Sequence, residues 1–250
     1  MIAVTTADRV TTLRFDRPEK KNALTVAMYE QLTDALVAAA SDPAVHAVVL
    51  AGSSDCFTAG NDIADFALAN QGGLSTAPLD FLRALATFEK PVIAAVAGVA
   101  IGVGTTLLLH CDLVIVAPSA RFKTPFVALG LVPEAASSLL LPRLVGERRA
   151  AQLLLLGEQI DASTALEWGL VNEIAEDPLA ASLARAKVLA ACAPSALRAT
   201  KSLIRRATRE AVLETMAVEA ETFSRRLRSP EAMEAFQAFM ARRPADFSRF

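Results

Sequence analysis

The chain has 250 residues, a formal net charge of −2 and 53% hydrophobic residues. That hydrophobic fraction supports a large core and excludes a disordered chain, in one large domain or one domain with a small helical appendage. The near-neutral charge leaves no global basic field to draw in nucleic acid. The three cysteines, Cys56, Cys111 and Cys192, are odd in number and fit neither a metal site nor a redox pair, so reduced thiols in an intracellular protein are expected. Asp8 and Arg9 stand where a secretory signal would need an apolar run, so secretion is not expected.

Residues 2–5 and 10–15 read as the strands of a hairpin joined through Ala7-Asp8. A charged loop, residues 16–22, follows. Thr25 is a candidate N-cap, and Met28, Leu32, Leu36 and Ala39 then recur at helical spacing up to Asp42-Pro43. Residues 45–51 read as a strand buried on both faces. Residues 52–63 form a loop entering a short helix capped by Asp62, and residues 70–78 read as mobile. Helix returns over 79–88, with Leu82 and Leu85 on one face. Residues 91–111 hold no Asp, Glu, Lys or Arg. They are long enough to span a bilayer, but Gly98, Gly102 and Gly104 divide them into a buried strand, a turn and a buried helix. A strand over 112–117 completes an alternation that predicts an α/β core with a largely parallel sheet.

Beyond residue 137 the pattern turns helical, over 137–145, 148–156 and 162–168. Asp161 caps the last of these and Gly169 ends it. A short strand over 170–174 precedes helices broken near Pro194 and Pro230. His110 and His46 read as structural. Asp112 reads as an acceptor of backbone bonds at a strand start. Arg205, Arg206, Arg209, Arg225, Arg226 and Arg228 interleave with Glu210, Glu214, Glu219 and Glu221, which reads as solvated helix faces with salt pairs.

Three features carry chemistry. The turns Ala59-Gly60-Asn61 and Gly102-Val103-Gly104 each leave free N–H groups at a helix start, and two such donors aimed at one point make an oxyanion hole. Each glycine is by itself a weak signal, and neither fits a phosphate-binding fingerprint. Glu134 is the only acid between Asp112 and Glu147. Apolar residues precede it and small ones follow, so its pKa should rise toward the range of a general base. A surface acid ahead of a helix is the alternative reading.

Several segments run in order through nearly the whole chain: Arg17-Pro-Glu-Lys-Lys-Asn-Ala-Leu24, Phe57-Thr-Ala-Gly-Asn-Asp-Ile63, Lys90-Pro-Val-Ile-Ala-Ala-Val-Ala-Gly98, Gly102-Val-Gly104, Cys111-Asp-Leu-Val-Ile115 and Leu129-Gly-Leu-Val-Pro133. Together they resemble the crotonase, or enoyl-CoA hydratase/isomerase, superfamily. The resemblance implies a ββα superhelix over residues 1–194 and a C-terminal helical trimerisation or lid region over 195–250. It also implies a homotrimer or dimer of trimers, an acyl-CoA substrate and no separate cofactor. Nothing in it implies a metal, a nucleic acid or a membrane. The N–H groups of Asn61 and Val103 would hold the thioester oxygen. Ala59, Gly60, Asp62 and Ile63 would line the adenine site, with Lys20 and Arg17 near the CoA phosphates. Phe66 and Leu82 would border the acyl chain.

Hydratases of this superfamily use two glutamates. Their positions fall on Thr106 and Phe126, neither of which can act as a base at neutral pH. Glu134 follows Pro133 as in the peroxisomal-type Δ3,Δ2-enoyl-CoA isomerases, which Thr124-Pro-Phe126 and Ser137-Ser138 also resemble. The resemblance therefore implies an isomerase with Glu134 as its one base and Phe126 keeping water out. Hydration, another crotonase-type reaction, or acyl-CoA binding without turnover stay open as alternatives. The ending Phe-Ser-Arg-Phe250 differs from the usual peroxisomal one, so a cytoplasmic location is expected.

Overall fold

The computed structural model describes residues 1–63 and 75–250. Strands β1 (Ile2–Ala7) and β2 (Val10–Phe15) pair antiparallel from Ile2↔Phe15 to Ala7↔Val10. The turn between them is Asp8-Arg9, one residue later than expected. Both residues have positive φ, 52° and 65°, which suits the twist of a two-residue hairpin. Helix α1 (Val26–Ser41) begins where Thr25 Oγ1 accepts the Met28 N–H at 3.3 Å. It buries Met28, Tyr29, Leu32, Leu36 and Ala39.

Strand β3 (Ala47–Ala51) opens a repeating path. Each circuit lays one strand in a six-stranded sheet, one in a four-stranded sheet, and then a helix. The first runs through β3, β4 (Cys56–Thr58) and α2 (Ala77–Thr87). The second runs through β5 (Val92–Val96), β6 (Val99–Ile101) and α3 (Val103–Thr106). The third runs through β7 (Leu113–Val116), β8 (Arg121–Lys123) and α4 (Ser137–Val145). Helices α5 (Glu147–Leu154) and α6 (Ala162–Glu167) and the two-residue strands β9 (Ile160–Asp161) and β10 (Glu173–Ile174) close the coil. The large sheet runs β1-β2-β3-β5-β7-β10, and the small one β4-β6-β8-β9. This is the ββα superhelix. The small sheet escapes sequence reading because its strands are too short for alternation to register.

The central strands of the large sheet, β3 and β5, are buried on both faces, as the apolar run of β3 predicts. Val48 and Leu50 face the main core with α1 and α2. Val49, Ile93 and Ile115 face helix α7 (Pro178–Ala190), which lies on the other side. The charge-free stretch is strand, strand and short helix, and no described helix is long and apolar enough to cross a membrane.

The C-terminal helices are α8 (Pro194–Arg205), α9 (Arg209–Leu227) and α10 (Pro230–Met240). The break between α8 and α9 has no proline and is absent from the sequence reading. Asp112 ties α8 to the sheet: it accepts Val92 N–H at 2.8 Å, Lys201 Nζ at 2.6 Å and Arg205 Nη2 at 2.8 Å. Arg205 is therefore half-buried and paired rather than a solvated face. His46 is structural, its Nδ1 donating to the Ala190 carbonyl at 2.9 Å.

Candidate active site

The two glycine turns meet. Loop 17–24 is fastened to β4 through Asn22, whose Nδ2 donates to the carbonyls of Cys56 (2.9 Å) and Phe57 (3.2 Å). Leu24 N–H donates to Gly60 O at 2.8 Å, and Asp62 N–H donates to Leu24 O at 2.9 Å. In a parallel bridge of this kind the N–H of the intervening Asn61 points to the opposite side. Gly60 has φ 91°, and a Cβ there would stand 2.7 Å from Ile101 O and 4.0 Å from Gly102 Cα. Only glycine allows that approach. Gly102, with φ 58° and ψ −119°, needs glycine for its dihedrals, since a Cβ would meet nothing within 4 Å. Val103 is the first residue of α3. Among the described residues, neither Asn61 N–H nor Val103 N–H has a hydrogen-bond acceptor. Two unspent donors thus follow two glycine turns that lie side by side, Gly60 packed against Ile101.

Glu134 stands ahead of α4, before a strained turn. Ala135 and Ala136 both take left-handed conformations, φ 63° and 54°, which cost an L-residue about 1–2 kcal/mol each. Opposing bonds hold them. His110 Nε2 donates to Ala135 O at 2.8 Å, and Ser137 Oγ donates to Glu134 O at 2.6 Å. The Glu219 carboxylate accepts Ala136 N–H at 2.6 Å, Ser138 N–H at 3.0 Å and Ser138 Oγ at 2.5 Å. Burial pushes the Glu134 carboxyl up to about 7; the Thr106 hydroxyl, which donates to Glu134 Oε1, opposes this, and the Glu219 charge adds to it. Burial brings His110 down to about 4, leaving a neutral structural imidazole as the sequence implies. Tyr29 donates to Asn61 Oδ1 at 2.5 Å, and its phenol is raised by burial and then by the Glu134 charge.

Glu134 and Asn61 open on one cavity of about 400 Å3, walled by Leu79, Leu82, Ala220 and Phe223. Among the described residues Glu134 is its sole carboxylate. The structure thus brings together Asn61, Leu82 and Glu134. Val103 is buried at the start of α3 and, like the residues around Asn61, does not line the cavity. Ala59, Gly60, Asp62 and Ile63 build the turn around Asn61 and do not line the cavity. Asp62 accepts Arg17 Nη1 at 2.6 Å, which makes Arg17 a strut of the turn; the helix that Asp62 is expected to cap runs outside the described residues. Lys20 is exposed. Phe126 is buried in the core and does not reach the cavity wall, because the chain leaves β8 inward with Thr124 Oγ1 bonded to Leu153 O at 2.6 Å. Phe66 and residues 70–74 lie outside the described residues, while residues 77 and 78 begin α2.

Two site residues escape the sequence reading. Tyr29, the only tyrosine, sits in the apolar stripe of α1 and reads as core. Glu219 is not a solvated acid: it is 7% exposed. It follows Val212 and Met216 at i+7 and i+3, so an acid in an apolar helical stripe is the signal that would have found it. A second cavity, of about 320 Å3 beside α8, is lined by Arg198, Lys201, Arg205 and Arg209 and by one acid, the exposed Glu89. Among the described residues, no group of three or more His, Cys, Asp or Glu side chains could hold a metal ion.

Residues 5–249 match the family model for enoyl-CoA hydratase/isomerase. The chain belongs to that family. Rat enoyl-CoA delta isomerase 2 is 35% identical over 252 residues, covering 97% of this chain and 64% of that protein. The chain therefore spans about two thirds of the length of that relative. Escherichia coli K12 2,3-dehydroadipyl-CoA hydratase is 34% identical over 250 residues, covering 98% of each. Among solved structures, Pseudomonas aeruginosa OdaA is 48% identical with a TM-score of 0.92, covering 96% of this chain and 98% of that one. An enoyl-CoA hydratase/isomerase from Pseudoalteromonas atlantica T6c is 42% identical with a TM-score of 0.95, covering 99% of each. The crotonase fold is common to them, and the family holds both isomerases and hydratases at similar identity.

Proposed function

We propose that this family member is a Δ3,Δ2-enoyl-CoA isomerase, moving the double bond of a 3-enoyl-CoA into conjugation with the thioester. The observation that carries this reading is a carboxylate, Glu134, alone among the described residues on a largely apolar cavity, with a proton affinity near neutrality. The thioester oxygen sits on the N–H groups of Asn61 and Val103. Glu134 removes a proton from C2, and negative charge spreads to that oxygen. Each amide donor then contributes roughly 3–4 kcal/mol to the transition state. Glu134 returns the same proton at C4. One base suffices because the proton moves within one bound molecule, and the apolar walls keep water from the dienolate. Lys20, exposed on the loop fastened to the Asn61 turn, is suited to a CoA phosphate.

Hydration is the reading this geometry disfavours. It needs a second acid to handle water, and among the described residues the one whose charge reaches Glu134, Glu219, is committed to three donors and lies outside the cavity lining. Similarity to the delta isomerases supports the isomerase reading, and similarity to hydratases keeps the comparison worth making. The test offers trans-3-hexenoyl-CoA and crotonyl-CoA separately. Conjugated thioester should accumulate from the first, with little hydration of the second. Efficient hydration without isomerisation would sink the proposal, as would full turnover by Glu134→Gln. Leu155, Leu156, Leu203 and Ile204 are exposed in the monomer, surface suited to cover in the homotrimer we also propose, which light scattering would detect.

A further inference from the structure

We propose that Glu219 is a positioning residue: from α9 its carboxylate holds the left-handed Ala135-Ala136 turn and so sets where Glu134 stands in the cavity. This rests on the reading of Glu134 as the base. Two consecutive alanines with positive φ have no local reason to persist, since each would relax to an ordinary region if released. The residue before α4 is Ala136, which has no side chain able to cap the helix. Glu219 supplies the missing acceptor from 81 to 83 residues away, bonding N–H groups on both sides of Ser137 and the Ser138 hydroxyl. A carboxylate at a helix N-terminus also meets a favourable dipole. The opposite side of the turn is held by His110 through Ala135 O. The base therefore sits immediately before a clamp on Ala135 and Ala136, with one jaw on the helical segment after Gly104 and the other on α9.

Helix α9 does two things from one face. Glu219 grips the turn, while Ala220 and Phe223, one and four residues on, wall the cavity. Seating α9 sets the substrate wall and the base in a single act. A cap that merely stabilised α4 would have no such link to the reaction. The groups that face Glu134 are Thr106 from α3, Tyr29 from α1 and the Glu219 charge from α9, with Arg228, just past α9, on the cavity wall.

The experiment compares E219Q and E219A with wild type, measuring kcat and KM on trans-3-hexenoyl-CoA and following Glu134 by carbon NMR of 13C-glutamate protein, its resonance assigned with E134Q. Circular dichroism checks the fold. In E219A, kcat should fall about a hundredfold, the loss expected from misplacing a reacting group by about 1 Å. E219Q keeps one acceptor oxygen and should recover about a tenth of the wild-type rate, with KM in both variants within about threefold of wild type. The Glu134 midpoint should move to lower pH in E219Q, because a neighbouring negative charge is gone. If E219A does not fold, E219Q decides alone. Folded variants with kcat within about twofold of wild type, a loss confined to KM, or an unmoved Glu134 midpoint would overturn the proposal. Wild-type protein that fails to isomerise would remove the proposed function instead, and the NMR midpoint would still decide the role of Glu219.

Discussion

Replacing Glu134 by Gln should stabilise the fold above neutral pH while removing turnover. Burial raises this carboxyl from its ordinary 4.5 to about 7. At 1.36 kcal/mol per pH unit, the ionised form carries a ceiling of about 3 kcal/mol of destabilisation. That ceiling is already net of the Thr106 bond, and screening at the open cavity trims it, so roughly 2 kcal/mol should separate the variant from wild type. The sign follows from proton binding. Between pH 4.5 and about 7 the folded chain holds a proton on Glu134 that the unfolded chain has lost, so this group's contribution to stability falls as pH rises through that window. Urea unfolding of both proteins at pH 4.5, 6 and 8 measures it. The gap should be near zero at the lowest pH and open to about 2 kcal/mol in favour of Gln at the highest, or ~4–8 °C in Tm for a chain of this size. In the same window wild-type kcat/KM should rise about tenfold per pH unit and level off above about 7, because only the ionised base accepts a proton. A gap independent of pH, or one that favours wild type at pH 8, would refute the desolvation argument.

Gly60→Ala should push the first turn off Ile101 O and separate the two amide donors. A kcat loss of about a hundredfold with modest loss of stability is expected from steady-state kinetics and thermal melts. Thr106→Val removes the one hydroxyl that favours the ionised form of Glu134, so the acid limb of the kcat/KM profile should move to higher pH. Asp112→Ala strands Lys201 and Arg205 beneath α8 and leaves Val92 N–H without its acceptor. It should cost roughly 3 kcal/mol in urea unfolding, with kcat of the folded fraction little changed.

The sequence pattern alone carried the elements with long, periodic apolar content. The α1 stripe at Met28, Leu32, Leu36 and Ala39, the Thr25 and Asp161 caps, the doubly buried β3 and the buried β5 all stand as read. Periodicity reports one face of one element, so it works where many residues share that face. It failed for β4, β6 and β8, three residues each, whose pairing is set by the superhelical path rather than by local propensity. It failed likewise for the break between α8 and α9, which no proline marks.

The site divides the same way. Glu134 and the two glycine turns are visible locally, as an isolated acid among apolar residues and as glycines ahead of helices. Their convergence is not, because the packing of Gly60 so close to Ile101 O that a Cβ would clash belongs to two circuits of the coil. Phe126 falls at a hydratase acid position by the resemblance yet turns into the core. Thr106, at the other such position, serves Glu134 as a hydrogen-bond donor. Glu219 reads as one more charge among the arginines of the C-terminal helices until packing puts it against the Ala136 and Ser138 amides. Composition and spacing decide which side chains are able to do chemistry. Which of them lose water, and which donors they meet, depends on contacts between distant segments, such as Glu219 with Ala136 83 residues away, and burial is where a carboxylate becomes a base.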